Sequence, residues 1–169
     1  MALHRWHSPA KFRGLMRSDI WEAARANCRG GMSKKLLVSI VEDDRFFRES
    51  MGRLMRSLGY TVEAFASAAD FLASPRLAET TCLIADVQMP GITGIELYRH
   101  LIAAGHAIPT ILVTGYPKDL DRVRALNDGV VCYLRKPVDE EILKGCLRAA
   151  LASGEAPAEI SCLCCARAT

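Results

Sequence analysis

No stretch of this chain reaches the roughly 18 consecutive apolar residues that a bilayer-spanning helix needs, so no membrane association is expected. The N-terminus lacks the apolar h-region of a secretory leader. Basic excess is missing from most of the chain. Residues 1–31 carry six Lys or Arg against two Asp or Glu, whereas the rest carries 16 against 17. The larger part therefore lacks the electrostatic footprint of a nucleic-acid surface, and direct DNA binding is not expected. Cysteine lacks a framework: Cys28, Cys82, Cys132, Cys146, Cys162, Cys164 and Cys165 are odd in number and follow no disulfide-type spacing. Three of them, Cys82, Cys132 and Cys146, lie inside apolar periodic segments, where Cys serves as a small hydrophobe. A reduced, cytoplasmic protein is the expectation. Cys162-x-Cys164-Cys165 has no His beside it and offers too few ligands for a closed tetrahedral metal site.

What is present supports one core. The 169 residues are 50% apolar and 24% charged, enough for a single domain with extensions. Residues 1–33 read as a disordered or mis-started extension, because Met32-Ser33-Lys34-Lys35 looks like a translation start just before the first apolar run. A targeting peptide or basic arm is disfavoured by the segment's two acids and poor amphipathic pattern. Residues 34–153 form the domain, and residues 154–169 a disordered Cys-containing tail.

Within the domain, strand and helix patterns alternate. Leu36–Val41, Tyr60–Phe65, Cys82–Ala85, Pro109–Thr114 and Val130–Leu134 are short apolar or β-branched runs, read as strands. Between them, apolar residues recur at helical spacing: Phe47, Met51, Leu54 and Leu58 mark one face, ended by Gly59. Ser67 caps a short helix through Leu72. Gly94–Ala104 is stopped by Gly105, and Lys118–Asn127 directs Leu120, Val123 and Leu126 to the core and closes near Gly129. Val138–Ala152 buries Ile142, Leu143, Cys146, Leu147 and Leu151. Five strands interleaved with five helices predict an α/β fold, a five-stranded parallel sheet doubly wound as (βα)5, flavodoxin-like.

Chemistry-bearing residues collect at the strand ends. Glu42 and Asp43 follow the first strand, Asp86 the third, Thr114 the fourth and Lys136 the fifth. In open parallel sheets that edge is the crevice where ligands bind. Several carboxylates converging there are costly unless a cation joins them. Asp44, next along, suits a helix start, where an acid favours the macrodipole.

This layout resembles the receiver domain of two-component response regulators. The resemblance rests on Ile40-Val41-Glu42-Asp43, on Asp86-Val87-Gln88-Met89-Pro90-Gly91-Ile92-Thr93-Gly94, on Thr114-Gly115-Tyr116 and on Lys136-Pro137, over roughly residues 35–152. Thr-Gly-Tyr and Arg124-Ala125-Leu126 make it most similar to FixJ-type receivers. The resemblance implies that Asp86 accepts a phosphoryl group from a sensor histidine kinase or phosphotransfer protein. It implies Mg²⁺ held by Asp43, by Asp86, by Glu42 through water and by the backbone carbonyl of Gln88. Lys136 would pair with Asp86 and then with a phosphoryl oxygen, Thr114 would bond another, and Thr114 and Tyr133 would form the switch. The face built by the fourth helix, fifth strand and fifth helix would meet a downstream protein, with a homodimer on phosphorylation allowed for. No helix-turn-helix follows in this chain, so the expected role is a stand-alone receiver in a phosphorelay, not an enzyme beyond dephosphorylating itself. The alternative is a pseudo-receiver scaffold or dimerisation module without phosphotransfer. A haloacid-type phosphatase would need a second Asp two residues after the nucleophile, where this chain has Gln88.

Overall fold

The apolar runs become five parallel strands in the computed structural model, which describes residues 36–152. They are β1 (Leu37–Val41), β2 (Thr61–Phe65), β3 (Thr80–Asp86), β4 (Thr110–Thr114) and β5 (Cys132–Arg135), in the order β2-β1-β3-β4-β5. The strand order reverses between β1 and β3, which opens a crevice at their C-terminal ends. Five helices follow the strands: α1 (Arg45–Ser57), α2 (Ala68–Leu72), α3 (Gly94–Ala103), α4 (Asp119–Asn127) and α5 (Glu140–Ala152). A short 3-10 turn at Leu77–Glu79, absent from the sequence reading, leads into β3.

Alternation along the strands divides the core. Val38, Ile40, Cys82, Ile84, Ile111 and Val113 face one side and pack with Met51 and Met55 of α1 and Leu143 and Leu147 of α5. Val41, Leu83, Ala85 and Leu112 face the other and pack with Phe71 of α2, Leu97 and Leu101 of α3 and Ala125 of α4. Period-2 side chains on central strands buried on both faces account for the near-continuous apolar runs. Each fully buried Leu or Ile contributes roughly 1.5–3 kcal/mol over its exposed state.

The caps at Asp44 and Ser67 agree with the sequence, and a third at Thr93 adds to them. Asp44 is the N-cap of α1, its carboxylate accepting the Phe47 N–H at 2.7 Å. Ser67 caps α2, and Thr93 with Glu96 forms a capping box at α3. Gly59, Gly105 and Gly129 each take positive φ just beyond a helix end.

Three expectations are corrected. On α4, Leu120 is 71% and Val123 55% exposed, and Leu126 is exposed as well. The buried member is Ala125, flanked by half-buried Asp121 and Arg122, so the inward face is rotated about one residue from the apolar stripe. On α5, Ile142 is exposed while Leu143, Cys146 and Leu147 are buried. Cys132 and Cys146 are not separate thiols: they pair as a disulfide joining β5 to α5, with Cα atoms 6.1 Å apart. They lie on different elements that the fold brings face to face, which linear spacing does not reveal. Cys82 remains a buried free thiol, and burial pushes it up to about 12. The expectations for residues 1–33 and 154–169 fall outside the described residues.

Candidate functional site

Strand register assembles the site. Val41 pairs with Ala85, so Glu42 and Asp86 lie next to each other one step on. Asp86 pairs with Val113, and Thr114 pairs with Arg135. The Lys136 N–H then donates to the Thr114 carbonyl at 2.8 Å, which fixes where the Lys136 side chain departs. The peptide bond from Lys136 to Pro137 is cis.

Carboxylates gather around one ammonium. Ligand oxygens of Glu42, Asp43 and Asp86 lie within 4.8 Å of one another. Glu42 is 2% and Asp86 6% exposed, whereas Asp43 is open to solvent. Lys136 Nζ donates to both Glu42 oxygens, at 2.7 and 2.9 Å. Asp86 Oδ1 is 3.3 Å from the same ammonium, an ion pair outside hydrogen-bond geometry. The sequence paired Lys136 with Asp86; in the fold its nearer partner is Glu42. Burial raises the Asp86 carboxyl above its ordinary value, Lys136 opposes the rise and Asp43 adds to it. Glu42 is likewise raised, first by burial, with the Lys136 hydrogen bond opposing and Asp86 adding.

Asp86 Oδ1 is buried and has no hydrogen-bond partner among the described residues. An orphaned buried acceptor beside two further acids fits a hard cation, which takes oxygen ligands and would discharge the cluster. Thr114 is fully buried, and its hydroxyl accepts the Tyr116 N–H at 3.1 Å. Tyr133 is buried on the α2–α4 side of the sheet, its hydroxyl also unpartnered among the described residues. Gln88 is exposed, two residues beyond Asp86.

Three residues escaped the sequence reading as site residues. The Arg48 guanidinium donates to the backbone carbonyls of Glu42 and Asp43 and so ties the loop after β1 to α1. Gly94 meets the Asp86 backbone: a Cβ there would lie 2.3 Å from the Asp86 carbonyl oxygen. Phe47 was placed only on a core-facing helix stripe, yet the Lys136 ammonium stands 4.2 Å over its ring centroid. Gly94 carries a sequence signal in its place at the end of the loop motif; Arg48 and Phe47 carry none, because their partners come from other elements.

The comparisons agree with this geometry. The family model "Response regulator receiver domain" matches residues 38–148. The response regulator protein TodT of Pseudomonas putida is 38% identical over 115 residues, which are 68% of this chain and 51% of that protein. Nodulation protein W of Bradyrhizobium diazoefficiens is 40% identical over 112 residues, 66% of this chain and 49% of that protein. The chain thus spans about half the length of these curated relatives. Among solved structures, the response regulator StyR superimposes with a TM-score of 0.65 at 37% identity, over 70% of this chain and 60% of that one. The structure described as FixJ-N gives 0.64 at 28% identity, over 71% and 96%. A match across most of the described residues, carried by a doubly wound sheet with an acidic pocket at its switch point, places this chain in the response regulator receiver family.

Proposed function

We propose that Asp86 accepts a phosphoryl group from a phosphohistidine of a sensor histidine kinase or phosphotransfer protein. The observation that carries this reading is the Asp86 carboxylate itself. It is buried at the end of β3 with one oxygen unpartnered, 3.3 Å from an ammonium and within ligand reach of two more acids. A carboxylate oxygen attacks phosphorus, the P–N bond to the imidazole breaks, and the histidine leaves. Both reactants are anionic, so positioning and charge neutralisation govern the rate. Lys136 turns from Glu42 toward a phosphoryl oxygen, and the Thr114 hydroxyl donates to another. Asp43, Asp86, Glu42 through water and the Gln88 carbonyl would hold Mg²⁺, which when bound supplies positive charge to the phosphoryl oxygens. Hydrolysis of the acyl phosphate resets the domain, a turnover directed at itself.

The signal passes through protein contact. Movement of Thr114 and Tyr133 biases the α4–β5–α5 face, where Leu120, Val123 and Tyr116 are exposed. A downstream protein, or a second copy on phosphorylation, would meet that face. Phosphotransfer from a sensor histidine kinase would place the protein in the cytoplasm, and the near-balanced charge of residues 32–169 offers this domain no basic excess for DNA.

Acetyl phosphate with and without Mg²⁺, beside Asp86→Asn, tests the reading by intact mass. A Mg²⁺-dependent gain of one phosphoryl group, lost in the variant, is expected. No gain with acetyl phosphate, together with no binding of beryllofluoride, would favour the scaffold alternative.

A further inference from the structure

We propose that Phe47 is a positioning residue that holds the Lys136 ammonium beside Asp86 through a cation–π contact; the kinetic part of this inference rests on Asp86 being the phosphoacceptor. The ammonium lies 4.2 Å from the Phe47 ring centroid, inside the roughly 6 Å range in which the ring quadrupole attracts a cation. The same ammonium meets Glu42 at 2.7 and 2.9 Å and Asp86 at 3.3 Å. Two carboxylates and one aromatic face thus set its position.

The ring is itself anchored. The Phe47 N–H is held by the Asp44 cap at 2.7 Å, and its half-buried side chain packs against the cluster shared by α1, α5 and the sheet. The Lys136 side chain has a flexible four-carbon stem and is 21% exposed, so it can swing to water. An aliphatic residue at position 47 would fill the space and leave the ammonium without that attraction. The ring also does something Glu42 does not. Transfer of Lys136 to a phosphoryl oxygen breaks its Glu42 hydrogen bonds, whereas the contact with a ring face is undirected and tolerates the shift. Phe47 therefore keeps the ammonium within the site during the handover.

The test uses the full chain with Phe47→Leu and Phe47→Tyr, both checked for folding by thermal unfolding; Phe47→Met replaces Leu if that variant does not fold. Proton NMR of the Lys136 ε-methylene, assigned by its loss in Lys136→Arg, reads the ring contact directly. The signal is expected to be ring-shielded in the wild type and in Phe47→Tyr, and unshielded in Phe47→Leu. Phosphorylation of Asp86 by acetyl phosphate should slow roughly three- to tenfold in Phe47→Leu and stay within about twofold of wild type in Phe47→Tyr. An unshielded wild-type signal would overturn the proposal. So would a Leu variant that reacts at the wild-type rate, or a Tyr variant as slow as Leu, which would mark Phe47 as packing alone. If the wild type is never phosphorylated, the phosphoacceptor reading fails, while the shielding still decides whether Phe47 holds Lys136.

Discussion

Asp86 is held in a setting that disfavours its charge. Burial is the largest cause, Asp43 adds to it, and Lys136 offsets only part because its closer bonds go to Glu42. A carboxyl raised above its ordinary 3.8 binds its proton more tightly in the folded state than in the unfolded chain. Its contribution to stability is whole below 3.8 and is lost as pH rises through the raised folded value. Asn carries no charge at any pH. In the presence of a chelator, Asp86→Asn should therefore raise unfolding stability by about 1 kcal/mol near pH 7.5, with the gain vanishing near pH 4. Denaturant titrations at the two pH values measure this; a variant less stable at the higher pH would mean that the Lys136 pair outweighs burial. At this scale the sequence was informative where a residue ends a strand, as Asp86 and Thr114 do, or directly follows one, as Lys136 does. It was silent on Glu42 capturing Lys136, because that depends on side-chain reach across β1, β3 and β5.

Helix α3 depends on what its first residue lacks. Gly94 follows the Thr93 cap, and its Cα faces the Asp86 carbonyl so closely that a Cβ would lie 2.3 Å from that oxygen and 3.2 Å from Leu112 Cδ2. The obstructing atom belongs to the backbone, so no rotamer change relieves it. Gly94→Ala should destabilise the fold by roughly 1–3 kcal/mol and, by displacing the end of β3, slow Asp86 phosphorylation more than that loss of stability alone would. Thr93→Ala, which removes the cap and leaves the approach intact, should cost about 1 kcal/mol with little effect on the reaction. Unfolding curves and acetyl phosphate kinetics on both variants separate the two effects. Most elements were legible because central strands and capped helices carry strong local signals. Helix α4 was misread for a physical reason: nine residues turning one small side chain, Ala125, inward leave no burial pressure on Leu120 and Val123, so its apolar stripe does not mark its buried face. The exposed Leu120, Val123 and Leu126 suit the partner contact proposed for this face.

For the molecule as a whole, the acidic pocket would link cation binding to folding. Glu42 and Asp43 follow β1 and Asp86 ends β3, and these ends converge only when the two strands pair, so the unfolded chain has no comparable site. A cation that binds there stabilises the folded state by an amount set by its concentration over its dissociation constant, about 2.7 kcal/mol at a hundredfold excess. Protons compete for the same oxygens, and burial has raised both Glu42 and Asp86. Falling pH therefore protonates these two ligands earlier than ordinary carboxylates and weakens the cation's hold. Mg²⁺ should raise the unfolding temperature at neutral pH, and the increment should shrink as pH falls through the raised values. Asp43→Asn should reduce the increment without lowering the metal-free stability, because Asp43 is exposed and its negative charge opposes Asp86. Thermal unfolding across a Mg²⁺ series at two pH values, in wild type and Asp43→Asn, measures all three. An increment equal in both proteins would place the cation elsewhere on the surface and remove the acidic pocket from the account of phosphoryl transfer.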